Sequence, residues 1–184
     1  MFRIITSILA SCGIVFVGVL VVHVTATAQS VSRPPLSDDH KLYIASKCTS
    51  VKSSLRQLHR SDASMRVNRG QLYEFVGTKL MARLNSRLAA SRLDGGKLIG
   101  LTARYDKALI DFRESYRFYE ETLSDLLRAD CAKRPEAFFY DIEDASKKRT
   151  EVRKRITAMN QIMNDYYEEF GGFRDRHDSE LGSS

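Results

Sequence analysis

Ten positions in the last third of the chain, Phe138, Ile142, Ala145, Arg149, Val152, Ile156, Met159, Met163, Tyr166 and Phe170, follow one another at alternating spacings of four and three. All but Arg149 are apolar or aromatic. A repeat of 3.5 residues keeps a stripe on one face of a slightly underwound α-helix, whereas a strand would scatter it over both faces. A helix with such a stripe is stable only when the stripe is buried against other helices. Pro135 suits the first turn, and Gly171-Gly172 suits a stop. The spacing therefore predicts a helix over 135–170 and a bundle around it.

The rest of the chain supplies partners. Leu109, Phe112, Tyr116, Tyr119, Leu123 and Leu126 repeat at three and four, with Leu101 and Tyr105 extending the stripe upstream. Asp94-Gly95-Gly96 just before it is the best helix-to-helix turn in the sequence. In the first third, Ile44, Cys48, Val51, Leu55 and Leu58 form one seam, and Leu72, Val76, Leu80, Leu84 and Leu88 form another that drifts to a period of four. Between them the core-phase positions Asp62 and Arg69 are charged, so either these pair at the bundle surface or the helix bends or breaks within residues 61–70. Residues 29–37 (QSVSRPPLS) read as a stiff polar linker, and Ser37, Asp38 and Asp39 offer caps for a new helix. The expected architecture is all-α: an N-terminal membrane or signal helix, then a three-helix antiparallel coiled-coil-like bundle. Its divisions are residues 1–28 (signal peptide or anchor), 29–38 (linker), 39–170 (bundle) and 171–184 (disordered tail). The bundle helices are expected at 39–92, 97–131 and 135–170.

No Asp, Glu, Lys or Arg occurs between Arg3 and Arg33. Inside that gap residues 4–24 are almost wholly apolar, and as a helix they would span about 30 Å, the thickness of a bilayer's hydrocarbon core. Three fates are open. Ala26 and Ala28 make an A-x-A cleavage site, the length of the run favours a retained anchor, and Leu9-Ala10-Ser11-Cys12 resembles a lipobox. The flanking Arg3, Arg33 and Lys41 leave orientation mixed, and the body is expected outside the cytoplasmic membrane.

Cys48 and Cys131 are the only cysteines beyond that run, and an exported chain meets an oxidising environment. A hairpin with its apex at Gly95 would place them badly. Cys48 to Gly95 is about 70 Å as a straight helix and Gly95 to Cys131 about 54 Å, a mismatch of about 16 Å. An irregular first helix, a longer excursion near Gly70, or no intramolecular bridge would each resolve it. The expectation is a bridge with a first helix that is not straight; two buried free thiols are the alternative.

Motifs for chemistry are scarce. His23, His40, His59 and His177 form no metal-ligand spacing, the cysteines are too far apart for a C-x-x-C pair, and no nucleophile elbow or phosphate-binding glycine loop occurs. Adjacent carboxylates such as Glu120-Glu121 and Glu143-Asp144 diverge by about 100° on a helix. No catalytic residue, metal, cofactor or small-molecule substrate is inferred. Charge is more informative. Residues 52–104 hold eleven Lys/Arg against three Asp/Glu, whereas residues 105–184 hold fourteen against eighteen. The basic arm (Arg66, Arg69, Lys79, Arg83, Arg87, Arg92) either pairs with the acidic helices or binds an anionic surface such as lipid or envelope polymer. Nucleic acid is the least favoured partner, since no aromatic platform accompanies the cations. Lys147, Lys148, Arg149, Arg153, Lys154 and Arg155 form a second cluster at a spacing that suits i,i+4 pairs.

The segments CTSVKSSLRQLH, RVNRGQLYEFVGTKLMARLNSRL, RLDGGKL and DCAKRPEAFFYDIEDASKKR resemble a group of short bacterial proteins, typical of reduced genomes, with an N-terminal hydrophobic segment and an all-helical body. The resemblance runs from about Cys48 to Phe170 and implies that Cys48 and Cys131 recur as a pair. That group has no assigned activity, so the resemblance brings no site residues. Taken together, the expected role is a noncatalytic exported or membrane-anchored envelope protein that contacts another protein through a helix face or self-associates. The alternative is binding of an anionic membrane surface or polymer through the 66–92 arm.

Overall fold

Ser37 opens the first helix. In the computed structural model, which describes residues 33–182, its hydroxyl accepts from the His40 backbone N–H at 3.4 Å, and Asp38 and Asp39 occupy the first turn, where carboxylates favour the helix dipole. Helix α1 (Asp38–Phe75) passes into a π-helical segment (Val76–Met81) and then α2 (Ala82–Ala90), with right-handed backbone at both junctions, so the three form one arm. A turn leads to α3 (Gly96–Arg128), and a second leads to α4 (Pro135–Gly182). No strand occurs among the described residues. The expected run 4–24 and the cleavage candidates Ala26 and Ala28 lie outside them. Among the described residues, no helix is long and apolar enough to cross a membrane.

The central helix carries the core. Leu98, Thr102, Tyr105, Leu109, Phe112, Tyr116, Tyr119, Leu123 and Leu126 are all buried, an unbroken four-three stripe in which Thr102 rather than Leu101 takes the upstream place. The α4 stripe follows the sequence: Phe138, Ala145, Val152, Met159 and Tyr166 are buried, and Ile142, Ile156, Met163 and Phe170 are half-buried against them. Its exception, Arg149, meets the exception in α1. The Asp62 carboxylate accepts from Arg149 Nε at 2.8 Å, from Arg149 Nη2 at 2.9 Å and from the Tyr119 hydroxyl at 2.7 Å. Burial alone would raise the Asp62 carboxyl, but the Arg149 and Tyr119 hydrogen bonds outweigh it and hold the group below its ordinary value. Asp62 therefore pairs across the bundle, while Arg69 stays exposed on the surface.

Residues 61–70, expected to bend or break, are regular α-helix; the irregular stretch lies at Val76–Met81. There the Ala82 N–H donates to the Gly77 carbonyl five residues back, the π pattern. The cause is the seam that drifts to a period of four. From Tyr73 to Leu88 the buried positions advance more than 3.6 residues per turn, and the wide π turn absorbs the excess. Tyr73 and Met81 enter the core, where the seam of leucines placed Leu72 and Leu80; those two are 54% and 52% exposed. Gly77 sits against the Tyr105 ring, where a Cβ would lie 3.4 Å from Cε1.

The turn differs from the expected one as well. Helix α2 ends on Leu93 N–H to Leu88 O and Arg92 N–H to Ala89 O bonds, the Schellman pair, with Arg92 in the left-handed region at φ 56°. No described glycine has a positive φ. Gly95 folds back beside Leu88, so close that a Cβ there would come within 2.7 Å of Leu88 Cδ1. The apex of the hairpin is therefore near residue 91, not at Gly95. Measured from that level, Cys48 to Leu88 is about 60 Å of helix. Gly95 to Arg128 is about 50 Å, and extended Ala129 leads on into the turn that carries Cys131. Most of the mismatch disappears, and Cys48 and Cys131 are bonded with their Cα atoms 5.6 Å apart.

Gly171-Gly172 does not stop α4, which continues to Gly182 where a disordered tail from residue 171 was expected. Both glycines take helical rather than left-handed backbone, and Phe173 beyond them packs against the core. That anchor outweighs the helix-weakening of two glycines.

Candidate functional site

The basic arm is not neutralised from within. Arg66, Arg69, Lys79, Arg83, Arg87 and Arg92 form no ion pair among the described residues, whereas the later helices largely satisfy themselves. Glu151 pairs with Arg155 at 2.7 Å and Asp144 with Lys148 at 2.9 Å, while Glu74 of α1 reaches across to Arg113 of α3 at 2.9 Å. Of the second cluster, Lys148 and Arg155 pair at the i,i+4 spacing, Lys154 pairs with Glu151 at i,i+3, Arg149 reaches across the bundle to Asp62, and Lys147 and Arg153 form no ion pair among the described residues.

The six residues of the arm do not form one surface. Arg66 and Arg69 lie with Arg153 around a cavity of about 320 Å³ floored by Phe112, Tyr116 and Ile156, and the Arg66 guanidinium sits 5.1 Å from the Tyr116 ring centre. Arg92 is held in the turn. Lys79, Arg83 and Arg87 line a larger open groove of about 680 Å³ between the π segment with α2 on one side and α4 on the other. Spaced four residues apart, they recur every 6 Å or so along one lip.

That groove is apolar beneath its lip. Met81 and Tyr166 are buried in it, Leu84, Met163 and Phe170 are half-buried, and Leu80 and Tyr167 stand on opposite edges, Tyr167 78% exposed. Its α4 edge carries Asn164 and Tyr167 and no cation. Below the floor, a polar relay fixes the walls: Asn85 Nδ2 donates to Thr102 Oγ1 at 2.7 Å, and Thr102 Oγ1 donates to the Leu98 carbonyl at 2.9 Å. The π turn builds the lip, since it rotates Leu80 out of the core while Met81 goes in. Charge composition pointed to the three cations; the groove between them and α4 was not foreseen, because it depends on that rotation.

The histidines sit in ordinary company. His40 is beside the Ser37 cap, His59 pairs with Glu120, and His177 stacks on Phe173. Among the described residues no three His, Cys, Asp or Glu side chains gather closely enough to hold a metal ion. No protein-family model matches the chain, and no curated protein or solved structure is significantly similar to it.

Proposed function

We propose that this chain is a noncatalytic helical contact protein of the cell envelope, exported or membrane-anchored with its body outside the cytoplasmic membrane. It would meet a partner protein at the groove between α2 and α4. One observation carries the reading: a single groove joins exposed Leu80 and Tyr167 to Lys79, Arg83 and Arg87, three cations that form no ion pair among the described residues. A rigid, disulfide-closed bundle gives such a groove fixed walls, and interfaces gain most of their affinity from preformed apolar sites with charge complementarity at the rim. The placement outside the membrane is supported by the apolar run at residues 4–24 and by the cysteine pair.

A photo-crosslinking residue at Tyr167 in intact cells tests this. A protein adduct that survives high salt is expected from Tyr167 and not from Phe118 on α3. Loss of all adducts, or adducts equal at both positions, overturns the contact role.

Binding of an anionic membrane or polymer is the second reading, favoured by Arg66, Arg69 and Arg153, which are unpaired around their own cavity. It predicts retention on phosphatidylglycerol vesicles that is lost at high salt, because exposed charges act only within a Debye length of about 10 Å or less.

A further inference from the structure

We infer that the groove between α2 and α4 receives an acidic amphipathic helix of another protein, which completes a local four-helix packing. The inference rests on the contact reading above and names the element that the partner presents.

The groove has the shape of a missing helix. Arm and α4 run in the same direction, since α3 returns between them, and the groove they leave lies along their axes. Its floor of Met81, Leu84, Met163, Tyr166 and Phe170 is the kind of surface against which a fourth helix would bury a stripe. The two methionines adapt their shape to an incoming side chain. An extended peptide is a poorer occupant, because helical walls offer no free backbone row to satisfy its N–H and C=O groups.

Charge selects the kind of helix. Lys79, Arg83 and Arg87 repeat every helical turn along one lip only. The matching ligand carries carboxylates four residues apart on one edge of its apolar stripe, and those pairs form as it docks. A single acyl chain with one anionic head would engage one end of the row and leave the rest unpaired. A second copy of this chain does not fit either: nowhere in its sequence do three Asp or Glu residues stand at i, i+4 and i+8. The occupant therefore comes from a different protein.

The test uses the oxidised full chain and a labelled synthetic peptide of about twenty residues, long enough to cover five helical turns. One face is Leu and Ala, and one edge has three Glu four residues apart; a second peptide has Lys in place of Glu. Anisotropy is expected to show one-to-one binding of the acidic peptide, at least about tenfold tighter than the Lys peptide, a difference ordinary for rim charges. Arg83→Glu with Arg87→Glu should reverse that preference, which a merely destabilised chain would not do. Absence of acidic-peptide binding, equal binding of both peptides, or Arg83- and Arg87-dependent capture of phosphatidylglycerol vesicles without peptide binding overturns the inference. If the peptide binds while the Tyr167 crosslink in cells fails, the contact role falls and the groove chemistry stands. The opposite pair of results removes the acidic helix alone.

Discussion

Asp62 and Arg149 each interrupt an apolar stripe, and each is tolerated only because the other exists. With Tyr119 they satisfy one another inside the bundle. A carboxyl held below the ordinary aspartate value of 3.8 stabilises the fold fully above that pH. The contribution fades as pH falls through the lower folded value, where the paired carboxylate at last takes a proton. Asp62→Asn removes the charge but not the shape. It should lower stability at pH 7 by about 2 kcal/mol, the scale of a lost charged hydrogen bond, and flatten the acid limb of denaturant-derived stability below about pH 4. An unchanged acid limb would show that the pair is not the cause. Arg92 is a second residue out of place, in a left-handed position that suits glycine. Arg92→Gly should raise the unfolding free energy by about 1 kcal/mol, measured by urea titration, because it relieves the Cβ clash. Both charged exceptions were visible in the sequence. Their partnership was not, since periodicity names the face a residue takes and not which residue it meets across the bundle.

At the level of elements, α3 and α4 were legible because their stripes hold a constant period over eight or more repeats. The first arm was legible only as helix. Charges at residues 62 and 69 pointed to a break that does not exist, whereas the drift of Leu72, Val76, Leu80, Leu84 and Leu88 toward period four was the true mark of the π segment. A π turn carries one residue more than the α-helix it interrupts. Deleting Thr78, exposed with its hydroxyl bonded to the Glu74 carbonyl, should return the arm to continuous α-helix. Tyr73, Val76, Met81, Leu84 and Leu88 would then fall at spacings of three and four, so the core survives. Circular dichroism on heating should show a cooperative transition like that of the parent. Deleting Ser64 from the regular stretch is the contrast: it rotates everything beyond it by about 100° and should abolish that transition. If both deletions behave alike, the π segment does not absorb the drift. The groove was hidden for the same reason, since Lys79 and Leu80 belong to its lip only after the π turn has set the phase.

For the whole molecule, the position of one turn decides whether the ends meet. An apex at Gly95 separates Cys48 from Cys131, whereas an apex near residue 91, with Gly95 folded against Leu88, brings them into bonding range without any bend at residues 61–70. The sequence could supply the lengths but not the overlap, because a Schellman turn on an arginine has no glycine to announce it. The bond then ties the start of the arm to the end of α3 across 83 residues. A closed loop of that length removes much freedom from the unfolded chain, and in the chain-entropy account this amounts to about 4.5 kcal/mol. The double variant Cys48→Ser, Cys131→Ser leaves every stripe in place, so it should fold with the same helical content. Its urea midpoint should drop by an amount worth about 3–4 kcal/mol, somewhat under the ideal value because native and unfolded chains both relax. Reductant should do the same to the parent chain and nothing to the variant. A variant as stable as the oxidised parent would mean that the stripes alone fix the arm against α3, and that the bond is dispensable for the rigidity the groove needs.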